Sequence, residues 1–226
     1  DGLHAADLVV APSGAMLRAL NTHYGPLDGA RVIHNGRNAE QFAPRRKRPF
    51  VLSAGRLWDE AKNIDRVVEI ADELPWPVLV AGEFQHPDQS ARHSFVARQC
   101  RWLGSLPEAQ LRRWYASASI YGLPALYEPF GYTPLEAALS GCALVLGDIE
   151  SLREIWGDAA VFVDPCDSAA LKHELIDLID DPQRRGEMSR RAHERAQEFT
   201  SARMAENYLA AYEELFAKRE EFARCA

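Results

Sequence analysis

Cysteine is scarce in this 226-residue chain: Cys100, Cys142, Cys166 and Cys225 stand far apart. With no C-x-x-C pair and no histidine partners at ligand spacing, neither a zinc site nor a disulfide scaffold is indicated, and a reducing, cytoplasmic setting is expected. The seven histidines, His4, His23, His34, His86, His93, His173 and His193, likewise show no metal spacing and read as surface or capping residues. No apolar run approaches the length of a membrane span and no secretory leader is present. A transmembrane segment is therefore not expected, while peripheral membrane contact is left open. Positive charge is not in excess either. The formal charge of −7 gives no general attraction to nucleic acid, although Arg45, Arg46, Lys47 and Arg48 form a local basic run that reads as a solvated linker. No internal repeat or low-complexity tract is found. There is no G-x-G-x-x-G after a strand, which disfavours a dinucleotide-dependent oxidoreductase, and no D-x-D to bridge a metal to a diphosphate. The first residue is Asp1 rather than Met, which suggests a start farther upstream or one that was removed.

What is present is an alternation of short apolar runs with helical patterns, the signature of a parallel α/β sheet. Strands are expected at 7–11, 30–34, 50–54, 77–81, 118–123, 142–146 and 159–163, all too continuously apolar to leave one face wet. Helices are expected near 13–24, 63–74, 108–117, 134–140, 168–180, 183–198 and 201–218, with a shorter turn at 151–156. The fold class is thus α/β, a Rossmann-like doubly wound parallel sheet. The stretch "EQFAPRRKRP" at 40–49 interrupts the alternation with two prolines and four basic residues. The division that follows is 1–40 as the tail end of a preceding Rossmann-like domain, 41–49 as linker, 50–199 as a complete Rossmann-like domain, and 200–226 as a C-terminal helix.

In such sheets ligands sit outside the carboxyl ends of the strands, where helix N-termini offer unpaired N–H groups and partial positive charge. Three strand ends carry suggestive residues. In "AGRLWDEAKN", 54–63, Gly55 permits an unusual turn or close approach, and Arg56 and Lys62 either hold an oxyanion together or pair with Asp59 and Glu60 on a wet loop. Asn63 is expected to cap the helix that follows. In "VAGEFQ", 80–85, Gly82 reads as ordinary turn chemistry or as room for a ligand. In "YEPFGYTPLEAALSG", 127–141, Thr133, Pro134 and Glu136 match an N-cap, a first helical residue and the closing member of a capping box. Glu128 lies five residues before that cap and has no helix to serve. The amides of Gly131, Tyr132 and Thr133 are free for an anion, so a ligand site and plain helix chemistry both remain open there.

"EPFGYTPLE" resembles the E-x7-E motif of the retaining GT-B glycosyltransferases of family 4, and "GRLWDEAKN" resembles their G-R-x(n)-K-N loop. "ADLVVAPS", "ARVIHNG", "WLGSLPEAQLRRWYASASIYGLPA" and "DIESLREIWGDAAVFVDPCD" extend the likeness in the family's order over nearly the whole chain. The resemblance implies the C-terminal, donor-binding half of a GT-B fold, with a nucleoside diphosphate sugar as donor substrate, no further cofactor and no metal. It matches Arg56 and Lys62 to the pair that grips the diphosphate and Glu128 to the glutamate facing the donor sugar. Phe130, Gly131, Tyr132 and Thr133 match the turn whose amides meet sugar and phosphates. Glu136 matches the glutamate that accepts hydrogen bonds from the ribose hydroxyls, and the loop 103–108 around Leu106 would lie by the base. The acceptor, unidentified, would bind to an N-terminal domain of which only about the last forty residues are present, and the C-terminal helix would cross back to that domain. Its apolar stripe, Met204, Tyr208, Leu209, Tyr212, Leu215 and Phe216, needs a surface to cover, there or on its own domain. Two positions depart from the family's pattern: Glu83 and Phe84 follow Gly82 where a second glycine is common, and Ala125 replaces a usual serine. A GT-B-like sugar-nucleotide epimerase and a non-catalytic sugar-nucleotide binding module are the alternatives.

Overall fold

The computed structural model describes residues 2–83 and 98–225. Among them are eight strands in two sheets. In the smaller sheet β1 (Val10–Ala11) runs parallel to β2 (Arg31–Val32), connected through α1 (Gly14–Tyr24). Ser13 starts α1 by accepting from the Met16 amide, which satisfies one orphan donor of the first turn.

The larger sheet holds β3 (Arg48–Ala54), β4 (Val78–Ala81), β5 (Cys100–Gly104), β6 (Ala118–Leu123), β7 (Ala143–Gly147) and β8 (Val161–Val163). Its spatial order is β5-β4-β3-β6-β7-β8, parallel throughout. The chain moves outward from β3 through β4 to β5, then returns to the other side of β3 with β6. The loops after β3 and β6 therefore depart in opposite directions and open a crevice at the carboxyl edge. Every residue of β4, β6 and β7 is buried, as strands covered by helices on both faces must be.

The helices are α2 (Asp65–Glu69), α3 (Glu108–Ser117), α4 (Tyr132–Leu139), α5 (Glu150–Trp156), α6 (Ser168–Asp180), α7 (Pro182–Ala196) and α8 (Ser201–Cys225). Asp167 and Asp181 cap α6 and α7, and Pro182 occupies the first turn of α7, where its missing N–H is harmless. Lys47 lies inside the basic run yet is largely buried: its ammonium donates to Tyr115 O and Ser140 O, carbonyls at the C-terminal ends of α3 and α4, at 3.3 and 2.7 Å. That residue is a helix-end clamp rather than part of a solvated linker.

Four local expectations are corrected. β5 was not among the expected strands; it carries Arg101 and lies at the sheet edge, so its pattern is not continuously apolar. The expected helix at 63–74 is α2 between single 3₁₀ turns at Glu60–Lys62 and Ala71–Glu73. Asn63 does not cap it: its backbone is left-handed, φ 52°, and its amide group donates to Pro124 O and Pro165 O, both at 2.8 Å. Finally, α4 begins two residues earlier than its capping box implied. Gly131 is the N-cap, with φ 93°, and no side chain caps the helix. The Thr133 hydroxyl is instead engaged with the Tyr121 hydroxyl at 2.7 Å, and Glu136 is engaged elsewhere.

The two sheets are tied by α1 and α5. The Glu154 carboxylate accepts from the Gly14 and Ala15 amides at 2.6 and 2.8 Å, a carboxylate set on a helix N-terminus. Ser13 also donates to Pro129 O at 2.6 Å. The stripe of α8 is divided: Met204, Tyr208, Ala211 and Leu215 turn inward, while Leu209, Tyr212 and Phe216 are exposed.

Candidate functional site

Two loops build the crevice, 55–63 after β3 and 124–131 after β6. They are laced together by main-chain bonds: the Leu126 and Tyr127 amides both point at Ala61 O, at 2.9 and 3.2 Å. The Asn63 bridge to Pro124 O and Pro165 O closes the same seam from the other end. Such doubly anchored loops hold side chains in place without a bound ligand.

Across this seam Lys62 Nζ lies 2.6 Å from Glu128 Oε2, with side chains only 19% and 11% exposed. The main chain of Glu128 is fixed as well, because Ser151 donates to its carbonyl at 2.5 Å. The helix that Glu128 lacked in the sequence is replaced by a cation from another loop, 66 residues away. Beside it, Gly131 has a backbone that strains any other residue, and a Cβ there would meet Pro134 Cγ at 3.2 Å and Glu128 Cγ at 3.4 Å. A carboxylate, an ammonium and the N-terminus of α4 thus converge in one place. The amides of Tyr132 and Thr133 lie in the first turn, where no intrahelical acceptor reaches them.

Arg56 is placed differently. Its guanidinium pairs with Asp59 at 2.7 Å, lies over the Trp58 ring at 4.9 Å, and is 56% exposed. The wet-loop alternative therefore holds for Arg56 without ligand, but Lys62 turns to Glu128 and not to Glu60. Gly55 keeps an ordinary φ; a Cβ on it would press Ile64 Cδ1 at 3.1 Å, so close packing is the role that applies. Gly82 is more constrained than turn chemistry implied: with φ 146°, its Cβ would fall 1.7 Å from Gly55 O, so two backbones touch there. Glu83, next in line, accepts from the Leu57 amide at 2.9 Å, whereas Phe84 lies outside the described residues, as do His86 and His93. Leu106, half-buried against the core, sits on the loop after β5, whose Gly104 O accepts from the Gly82 amide at 2.9 Å. The Phe130 side chain belongs to the core, packed edge-on against Phe199 at 5.5 Å.

Glu136 lies in the second turn of α4 and is buried. Burial pushes its carboxyl up, and Arg37 pulls it back. Arg37 Nε and Nη2 reach Glu136 Oε1 at 2.7 and 2.6 Å, and the guanidinium lies over the Tyr132 ring at 4.3 Å. Neither Arg37 nor the Tyr121 hydroxyl, which bridges Ala54 O at 3.0 Å and Thr133 Oγ1, was among the expected site residues. For Arg37 the local signal in the sequence is a cation directly after Asn35 and Gly36.

Known proteins resemble this chain in sequence and in fold. Over 206 residues the chain is 33% identical to the glycogen synthase of Mycobacterium tuberculosis, covering 84% of this chain and 50% of that protein. It is 26% identical to the O-antigen chain mannosyltransferase B of Escherichia coli, over 79% of this chain and 41% of that one. The chain spans about half the length of the curated relatives it matches. Among solved structures, the sucrose-phosphate synthase of Thermosynechococcus elongatus superposes with a TM-score of 0.84 at 24% identity, covering 96% of this chain and 60% of that one. HepE of Anabaena, solved with UDP-glucose, superposes at 0.83 with 18% identity over 92% and 64% of the two chains. The six-stranded sheet and its crevice are therefore the Rossmann-like fold shared with these GT-B enzymes. The profile of the glycosyl transferases group 1 matches residues 35–198, a span that takes in both crevice loops and α4, and the chain belongs to that family.

Proposed function

We propose that the chain is the donor-binding half of a retaining, hexosyl-type glycosyltransferase that moves a sugar from a nucleoside diphosphate to an acceptor. The observation that carries this reading is the convergence of Lys62, Glu128 and the α4 N-terminus at the point where strand order reverses. A diphosphate set against the Tyr132 and Thr133 amides would meet a helix dipole of the right sign. Lys62, exchanging Glu128 for phosphate, and Arg56, swinging from Asp59, would add two charges. As the bond between the anomeric carbon and the phosphate oxygen breaks, negative charge grows on the leaving diphosphate, and fixed donors there lower the barrier. Glu128, released from Lys62, is left to accept hydrogen bonds from the sugar. We assign the ribose hydroxyls to Glu136 and the base to the loop around Leu106, with no resident metal or further cofactor. The acceptor is assigned to an upstream domain of the family kind, and the exposed Leu209, Tyr212 and Phe216 face of α8 suits contact with it. The scattered cysteines fit a cytoplasmic setting. Among the described residues no helix is long and apolar enough to cross a membrane.

Uridine is the first base to try, since HepE was solved with UDP-glucose. Calorimetric titration with UDP, GDP, ADP and inorganic phosphate tests the reading. One nucleotide should bind selectively, and Arg56→Ala with Lys62→Ala should abolish that binding. A folded chain that binds none of them contradicts the proposal.

A further inference from the structure

Arg37 lies outside both crevice loops, yet it reaches the buried carboxylate of α4. Its backbone explains how. The Arg37 amide donates to Phe199 O at 3.0 Å and its carbonyl accepts from Ser201 at 3.1 Å, so the residue is clamped to the segment that enters α8. The clamp requires glycine next door, because a Cβ on Gly36 would fall 2.1 Å from Thr200 O. From this fixed base the side chain crosses the Tyr132 ring and delivers both Nε and Nη2 to a single oxygen, Oε1 of Glu136. Among the described residues Oε2 has no partner, and it is not one of the fully enclosed polar atoms left unsatisfied. The side-on grip leaves one carboxylate oxygen with its acceptor sites open.

An unpaired carboxylate at this depth would be driven toward its protonated form by burial. The other charges that act on it, Glu108 and Arg112 of α3, oppose one another. Arg37 is thus the cation that draws the Glu136 carboxyl back down against the upward push of burial, and it sets the rotation of the carboxylate plane. Tyr132, in the first turn of α4, fixes the guanidinium from below, which ties the arginine to the same helix end that faces the proposed phosphates.

We propose that Arg37 is a positioning residue for the donor ribose, holding Glu136 by Oε1 so that Oε2 accepts from the ribose hydroxyls. This rests on the donor-binding reading above. It also links the donor pocket to the start of α8, since the same residue is bonded to both.

The test compares UDP with 2′,3′-dideoxyuridine diphosphate, with the guanosine pair used if guanine is the base that binds. The wild-type chain should prefer the ribonucleotide about tenfold, the value of a hydrogen bond to a charged acceptor. Arg37→Met should weaken UDP by that factor while leaving the dideoxy analogue within about twofold, so that the preference vanishes, as it should in Glu136→Gln. Arg37→Lys, which restores the charge without the fork, should recover part of the preference. Arg37→Gln replaces the methionine variant should the latter melt below the assay temperature. If Arg37→Met weakens both ligands equally while Glu136→Gln still erases the preference, Arg37 is merely structural and the proposal falls, with the donor reading intact. Wild-type chain that binds UDP without preferring ribose overturns the role of Glu136 and that of Arg37 together. Binding of neither ligand overturns the donor reading itself.

Discussion

Removing Lys62 leaves Glu128 with a buried carboxylate and no cation, and the size of the effect follows from how enclosed the pair is. Breaking a fully enclosed ion pair from one side costs roughly 3–5 kcal/mol. The two side chains are 19% and 11% exposed, so solvent screening brings the expectation for Lys62→Met to about 2 kcal/mol. Glu128→Gln should cost about 1 kcal/mol, since the freed ammonium sits on a long stem that can reach water. The double variant should also cost only about 1 kcal/mol, which gives a coupling energy of about 2 kcal/mol. For a chain of this length the single lysine change corresponds to a fall in Tm of about 4–8 °C. Urea unfolding of the four proteins, read by circular dichroism, measures the cycle. A coupling below about 0.5 kcal/mol would identify a solvent-screened surface pair and refute the reasoning.

Gly131→Ala forces a Cβ into a left-handed backbone and against Pro134, and should cost about 1–3 kcal/mol of unfolding free energy in urea titration while weakening nucleotide binding; a neutral alanine would mean that the α4 entry can relax. Hydrogen bonds from Arg190 and Arg191 push the Glu187 carboxyl down to about 2. Its contribution is therefore complete above the ordinary carboxylate range and lost as pH falls toward 2, so the Tm gap between wild type and Glu187→Gln should narrow between pH 6 and 3. A gap that stays constant or widens on acidification contradicts that pairing. Burial pushes the Cys142 thiol up to about 11, so only about one in a thousand is ionised at pH 8. Peptide mapping after maleimide labelling should find Cys166 modified in minutes and Cys142 only after unfolding, and early labelling of Cys142 would show that the core opens there.

The parallel sheet was legible because β6 and β7 are buried on both faces and carry no charged residue to blur the pattern. β5 is hidden in the sequence for the opposite reason, as an edge strand tolerates Arg101. In the 63–74 segment, Ile64, Val67, Val68, Ile70, Ala71 and Leu74 are buried as a helical period implies, yet the hydrogen-bond ladder breaks into short turns. Hydrophobic spacing reports which face is covered, not the ladder beneath it. The capping box failed because its two members have distant partners: Thr133 meets Tyr121 of β6, and Glu136 meets Arg37, 99 residues away. Local chemistry predicts a cap only where no tertiary partner competes for the same side chains. Glu128, Lys62 and Gly131 converge as residues drawn from two motifs, whereas the outward pairing of Arg56 with Asp59 was visible as one of two open choices in the loop itself.

A nucleoside diphosphate bound by this chain would sit between the β3 loop and the α4 N-terminus. Titrating UDP into isotopically labelled protein and following backbone amide shifts locates the ligand directly. The largest shifts should appear at Gly131, Tyr132 and Thr133 and along 55–62, saturating together with the calorimetric isotherm. Shifts concentrated instead around the 290 Å³ cavity bordered by His34, Arg195 and Arg203, with the α4 amides silent, would contradict the central claim.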